Sequence, residues 1–320
     1  MAEQSGMVRT AVAFVLASAI LGRMSLQLGA EETQEEKDEY STRLFIADSD
    51  GSNMRQLTNL PEYQKQGSPS WSLDGKLIAF DAWKPQAGET FSDCRVIVVD
   101  ADGKNPREFP DAAMPSFSPG GHRIAVSRPA AGGVWVIDVN DPQMARPIQV
   151  DKVGWGTDWS RDGRIVFVSR RPSMNLTVVN IVEGTVDRIF DKEPSPYSNI
   201  QWNMAWSPDG KRVVFKGTTH DGKQHVVIAT VAGPEPRTVV RFEGNAGTSF
   251  AWHPDGSRIL FLMQPPQGKL YQIYWIAPDT KEPPQLLAGQ DERRHYSDVS
   301  YSPDGKQILV SCHKRTPQAK

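Results

Sequence analysis

Trp206-Ser-Pro-Asp-Gly210 followed by Lys211-Arg-Val-Val-Phe215 reads as a tight turn running into a strand, and the chain repeats that phrase six times. In the turn, proline presets φ, aspartate bonds back to nearby backbone, and glycine supplies the left-handed conformation that closes it. The other copies are Trp71-Ser-Leu-Asp-Gly75, Phe117-Ser-Pro-Gly-Gly121, Trp159-Ser-Arg-Asp-Gly163, Trp252-His-Pro-Asp-Gly256 and Tyr301-Ser-Pro-Asp-Gly305. Their leading aromatics are spaced by 46, 42, 47, 46 and 49 residues, a period that marks a repeat architecture.

An apolar, β-branched run follows each turn: Leu77–Phe80, Arg123–Val126, Ile165–Val168, Arg212–Phe215, Ile259–Leu262 and Ile308–Val310. Runs without strict alternation predict strands covered on both faces. About 20 residues after each phrase a further strand is predicted, at Val96–Asp100, Val134–Asp138, Leu176–Asn180, His225–Ala229 and Tyr271–Trp275. The sixth of these stands at the start of the chain, Leu44–Asp48, before the turn Asp50-Gly-Ser-Asn53 and a short strand from Met54 to Thr58. The chain therefore begins with the outer half of one unit and ends, at Cys312, with the inner half. If the two halves pair, the six units close into a ring with no capping repeat, the architecture of an all-β, six-bladed β-propeller with four-stranded blades.

The phrase aromatic-Ser-Pro-Asp-Gly-Lys, its Ile-Ala-Phe-like strand, and the later strand ending Asp-x-Asp-Gly resemble the WD-repeat-like propeller units of the TolB family. The resemblance covers residues 42–312. It departs at Leu73 and Arg161, which replace proline, at Gly120, which replaces aspartate, and at His253, which replaces serine. It implies a periplasmic interaction protein with a partner such as a peptidoglycan-associated lipoprotein. TolB proteins also carry an α/β domain before the propeller, and here only an acidic linker, residues 31–41, is expected there.

The apolar run Ala11–Gly22, preceded by Arg9 and leading to Gly29-Ala30, has the layout of a secretory signal peptide over residues 1–30. Its 12 residues are too few for the about 20 of a spanning helix. A periplasmic or otherwise extracytoplasmic monomer without stable membrane insertion is expected, with residues 313–320 as a tail. A formal net charge of -2 with scattered basic residues excludes a nucleic-acid footprint. Cys94 and Cys312 fall on strands of different blades and read as two separate small buried residues rather than a pair.

No catalytic apparatus is legible. Similar units form the propeller half of prolyl-oligopeptidase-type enzymes, but the chain has no Gly-x-Ser-x-Gly elbow. Its six histidines form no His-Glu-x-x-His motif, and no Cys-x-x-Cys exists, so neither metal nor cofactor is expected. Asp48-x-Asp-Gly-x-Asn53 and Asp100-x-Asp-Gly103 look like calcium-loop fragments but lack the later bidentate glutamate.

The residues just before each innermost strand should converge at the channel mouth. They are Ser68, Met114, Trp155, Asp158, Trp202, Asn203, Thr248, His295, Tyr296 and Asp298. Aromatic faces interleaved with Asp, Asn and His suit a peptide or an oligosaccharide, while the bland alternative has tryptophans packed between blades around a water-filled pore. The leading expectation is a non-catalytic protein-interaction or scaffold module of the cell envelope. The alternative, from resemblance to propellers of polyuronate lyases, is an oligosaccharide-binding protein or lyase working at the mouth, where His295 and the aspartates would have to serve.

Overall fold

The computed structural model describes residues 41–84, 93–141, 143–144, 146–190, 194–231, 238–244 and 246–313, with the side chains of 238–240 and 248 left aside. The expected signal segment, nearly all of the linker and most of the tail lie outside these residues. Among the described residues every regular element longer than a single turn is a strand.

Six sheets are formed. The first complete blade holds β3 (Lys65–Trp71), β4 (Leu77–Trp83), β5 (Arg95–Asp100) and β6 (Arg107–Pro110). The next runs β7 (Ala113–Phe117), β8 (Arg123–Ser127), β9 (Val134–Asp138) and β10 (Ile148–Asp151), and the third runs β11 (Trp155–Trp159), β12 (Arg164–Ser169), β13 (Asn175–Asn180) and β14 (Thr185–Arg188). The fourth contains β15 (Tyr197–Ile200), β16 (Ala205–Trp206), β17 (Arg212–Thr219), β18 (Gln224–Thr230) and β19 (Thr238–Glu243). The fifth contains β20 (Ala246–Trp252), β21 (Ile259–Met263), β22 (Gln272–Ile276) and β23 (Gln285–Leu286). The last joins both ends of the repeat region, β24 (Tyr296–Tyr301) and β25 (Gln307–His313) with β1 (Thr42–Asp48) and β2 (Arg55–Gln56).

The closure is extensive. β1 and β25 pair antiparallel from Thr42 opposite His313 to Asp48 opposite Gln307. Innermost strands then pack in sequence around the axis, β3 on β7, β7 on β11, β11 on β16, β16 on β20, β20 on β24 and β24 on β3. The six-bladed ring read from the repeats is the fold observed. Its one irregularity is the fourth blade, whose innermost strand is split into β15 and β16, both paired with β17, leaving 201–204 outside the ladder.

The repeated phrase works as a double clip. In the fourth copy Ser207 Oγ donates to Asp209 Oδ1 at 2.6 Å and accepts from Arg212 N at 2.9 Å, while Lys211 N donates to Asp209 at 3.1 Å. The buried serine is thus as structural as the aspartate. The aromatic ahead of it joins blades: Trp206 Nε1 donates to the Asp158 carbonyl at 3.2 Å, and Arg164 lies 4.9 Å from the Trp206 ring centroid. Cores form where neighbouring blades face one another, as with Val166, Leu176, Trp206 and Phe215. Both cysteines are unpaired and buried.

Candidate functional site

Innermost strands share a register break two to four residues before the phrase aromatic, for example between Gly67 and Ser70, Ala113 and Ser116, and Trp155 and Asp158. At the break the chain takes left-handed φ at Ser68 (48°), Met114 (53°) and Gly156 (69°). The break turns the side chains third from the aromatic towards the axis. A cavity of about 230 Å³ follows the axis, lined there by Ser68, Met114, Asn203, Ser249 and Asp298.

Asn203 and Asp298 meet across it. Their blades are separated by the one carrying Ser249, yet Asn203 Nδ2 donates to Asp298 Oδ1 at 3.3 Å. Asn203 reaches this far because the chain leaves the ladder between Gln201, whose N donates to the Lys216 carbonyl at 2.9 Å, and Ala205. Its neighbour Trp202 is half-buried and packs, with Trp83 and Trp155, around Cys94, Ala113 and Met114. Gly156 makes this possible: a Cβ there would stand 2.3 Å from the Trp202 carbonyl oxygen and 2.6 Å from its Cβ.

Asp298 is 8% exposed and Asp81, on β4, is fully buried. Met114 N donates to Asp81 Oδ2 at 3.0 Å, and Asp81 Oδ1 has no hydrogen-bond partner of acceptable geometry, although the Ser68 hydroxyl is near enough to lower its pKa. Asp298 Oδ2 and Asp81 Oδ1 each lie 3.1 Å from the point that a Cβ on Gly67 would occupy. Burial pushes Asp81 up to about 6. Burial and the charge of Asp81 push Asp298 up to about 7.

The other expected site residues are placed differently. Asp158 lines the cavity, but both oxygens are used between blades, Oδ1 by the Ser116 hydroxyl at 3.0 Å and Oδ2 by Trp206 N at 2.7 Å. Burial raises it to about 6. Trp155, half-buried, faces the tryptophan cluster. Tyr296 points into the core between blades, its hydroxyl donating to the Asp291 carbonyl at 3.2 Å. His295 stands away from the cavity lining, its ring 5.4 Å from Tyr271 and 5.0 Å from His313, and burial with the His313 charge depresses it to about 4. Thr248 lies on β20, and its side chain is outside the described set. The structure therefore brings Trp202, Asn203 and Asp298 together and leaves His295 and Tyr296 apart from them.

Sequence reasoning passed over Asp81 and Gly67. Aligning the six repeats exposes the first, because the residue after the Phe80-like position is Asp81, Ser127, Val168, Lys216, Leu262 or Ser311, and Asp81 alone carries a carboxylate. Four of the six bond to the following blade: besides Asp81 with Met114 N, Ser127 Oγ accepts from Gly156 N at 2.8 Å, Lys216 Nζ donates to the Ala246 carbonyl at 2.5 Å, and Ser311 Oγ donates to the Gln66 carbonyl. Among the described residues no group of three or more His, Cys, Asp or Glu side chains is arranged to hold a metal. The Asp48 and Asp100 carboxylates are engaged by Asn53 at 2.7 Å and Asn105 at 2.6 Å.

A ring of six blades around a channel with a polar bar across it places the chain among closed six-bladed β-propellers with an axial cavity. Residues 85–318 match the family described as the dipeptidyl peptidase IV N-terminal region, and the chain belongs to that family. No curated protein matches it. Among solved structures, a TolB structure from Agrobacterium tumefaciens is similar at TM-score 0.65 and 16% identity, over 86% of this chain and 99% of that one. TolB from Acinetobacter baumannii is similar at TM-score 0.58 and 16% identity, over 87% of this chain but only 65% of its own. The propeller domain of the trilobed protease from Pyrococcus furiosus, described as having an open velcro topology, is similar at TM-score 0.50 and 15% identity, over 78% of this chain and 79% of that one. At these identities the likeness is one of fold.

Proposed function

We propose that this protein is a non-catalytic interaction propeller of the cell envelope, exported by its N-terminal segment, that receives a peptide segment of a protein partner at the channel mouth formed by Trp202, Asn203 and Asp298. The observation that carries the reading is the break in the fourth blade. A ladder strand there would have satisfied its own backbone, and instead the chain presents an indole and an amide at the axis. Irregular backbone on a rigid scaffold is where binding residues concentrate. An apolar wall beside a few convergent polar groups is the make-up of a ligand pocket. The likeness in fold to TolB supports the partner's class, a protein of the envelope.

The lyase alternative is weakened by the position of His295, which is held between Tyr271 and His313 and does not line the cavity. The family's description as a peptidase region favours a second reading, in which the propeller serves a peptidase as its substrate-selecting part.

Affinity capture from envelope extract, run with the wild-type chain and with Trp202→Ala plus Asn203→Ala, tests the first reading. A partner retained by wild type and lost from the variant is the expected result. A partner held equally by both would move the interaction surface elsewhere, and peptide hydrolysis by the purified chain would overturn the non-catalytic assignment.

A further inference from the structure

The Asp81 and Asp298 pair has no counter-cation among the described residues. Among the described residues the groups packed around it are neutral or turned away. From β5 comes Arg95, directed to Glu108 at 3.3 Å and to the Tyr63 ring at 5.5 Å. Cys94, just before β5, is a thiol that burial keeps protonated. From β24 and the residue before it come Tyr296, bonded to Asp291, and His295, which burial keeps uncharged. From β25 come Cys312, likewise held protonated by burial, and His313, stacked edge-on against His295. β3 contributes Lys65 at its far end, six residues from the phrase aromatic, whereas β7, β16 and β20 contribute no acidic or basic side chain. Two buried carboxylates that face each other across a glycine cannot both carry charge at low cost, because hydrogen bonds from Met114 N, Ser68, Ser297 and Asn203 offset only part of the desolvation and repulsion.

We propose that Asp81 and Asp298 hold a single proton between them, and that this proton latches the channel mouth by keeping Asp298 in reach of Asn203. The two members are not equivalent. Asp81 is fixed by Met114 N on a central strand, with both neighbouring strands paired to it. Asp298 lies at a register break on the innermost strand and lines the cavity, and Asn203 lies outside the ladder. When the shared proton leaves, repulsion moves the member that has somewhere to go. Asp298 turns away from Asp81 and out of the geometry that holds the crossbar at 3.3 Å, and Trp202 moves with its neighbour. The pair belongs to the class in which two carboxyls titrate as a unit. The latch would set the pH at which the mouth accepts its ligand, and in that clause alone it rests on the function proposed above.

The experiment needs no ligand, so its failure is separable from a failure of that reading. Infrared difference spectra of the full chain, recorded across neutral pH, should show the carbonyl stretch of a protonated, buried carboxyl that disappears as pH rises, and tryptophan emission should change with the same midpoint. Asp298→Asn and Asp81→Asn should each remove the component with the highest midpoint, near 7, whereas Asp158→Asn should remove only a component near 6 and leave that one. Asn203→Ala keeps the pair intact and covers the case in which an aspartate variant fails to fold. It should retain the infrared band while its tryptophan emission becomes insensitive to pH. A wild-type chain with no protonated carboxyl near neutrality overturns the proposal, as does a band lost only in Asp158→Asn or an emission change unaffected by Asn203→Ala.

Discussion

Gly156 shows how much of the channel mouth rests on a single missing atom. Its φ of 69° and the Trp202 carbonyl 2.3 Å from a would-be Cβ are two separate reasons why no other residue fits. Gly156→Ala is expected to cost about 1–3 kcal/mol or more, since strain and overlap add. Chemical denaturation checks the loss, and the tryptophan spectrum of the folded variant should differ because Trp202 is displaced. Asp158 tests the opposite kind of residue, one that resembles a site and acts as a staple. Asp158→Ala strands Trp206 N and the Ser116 hydroxyl in the interior, which should destabilise by about 1–3 kcal/mol. Partner capture by the folded fraction should be unchanged. Capture lost in proportion to no stability change would make Asp158 a binding residue instead.

At the scale of elements, the ring closes because a strand from one end of the chain completes a sheet begun at the other. Gln66 locks that seam. Its side-chain oxygen accepts from Leu44 N at 3.2 Å and Thr58 Oγ1 at 2.7 Å, and its carbonyl accepts from Thr42 Oγ1 at 3.1 Å and from Ser311. Gln66→Leu leaves two buried donors without partners, and an effect of about 2 kcal/mol is expected. Hydrogen exchange should show the loss first in β1 and β25, ahead of the other blades. Uniform acceleration around the ring would mean that closure is not the weak point. The strands themselves were legible because apolar runs and the turn phrase repeat, and a repeat lets each copy correct the reading of the others. The split of the fourth blade was not legible. Gln201-Trp-Asn-Met204 contains neither glycine nor proline, and its close passage against Gly156 of the neighbouring blade is a contact between blades that the local sequence does not show. His295 and Tyr296 were misplaced for the related reason that a register break reverses which side chains face the axis, and spacing from the aromatic alone does not show where the break falls.

For the whole molecule, the buried aspartates set a direction for stability against pH. Asp81 at about 6, Asp158 at about 6 and Asp298 at about 7 all bind protons more tightly folded than unfolded, where the value is 3.8. Groups raised in this way contribute their stability in full below the unfolded value and lose it as pH climbs through the folded one. Thermal melts should therefore fall as pH rises through the range from about 4 to about 8, by about 2 °C or more for each kcal/mol lost. Asp298→Asn, which removes the charge and keeps the shape, should flatten that slope. A melting temperature that rises over the same interval would show that carboxylates elsewhere dominate.

On the function proposed above, the interrupted strand of the fourth blade is the place where a partner binds. Hydrogen exchange of the full chain, with and without the partner captured from envelope extract, tests it most directly. Protection is expected to be confined to 202–206, to 68–70 of β3 and to 298–300 of β24, because those segments line the channel. Protection on the outer strands, with the mouth exchanging as it does in the free chain, would contradict it.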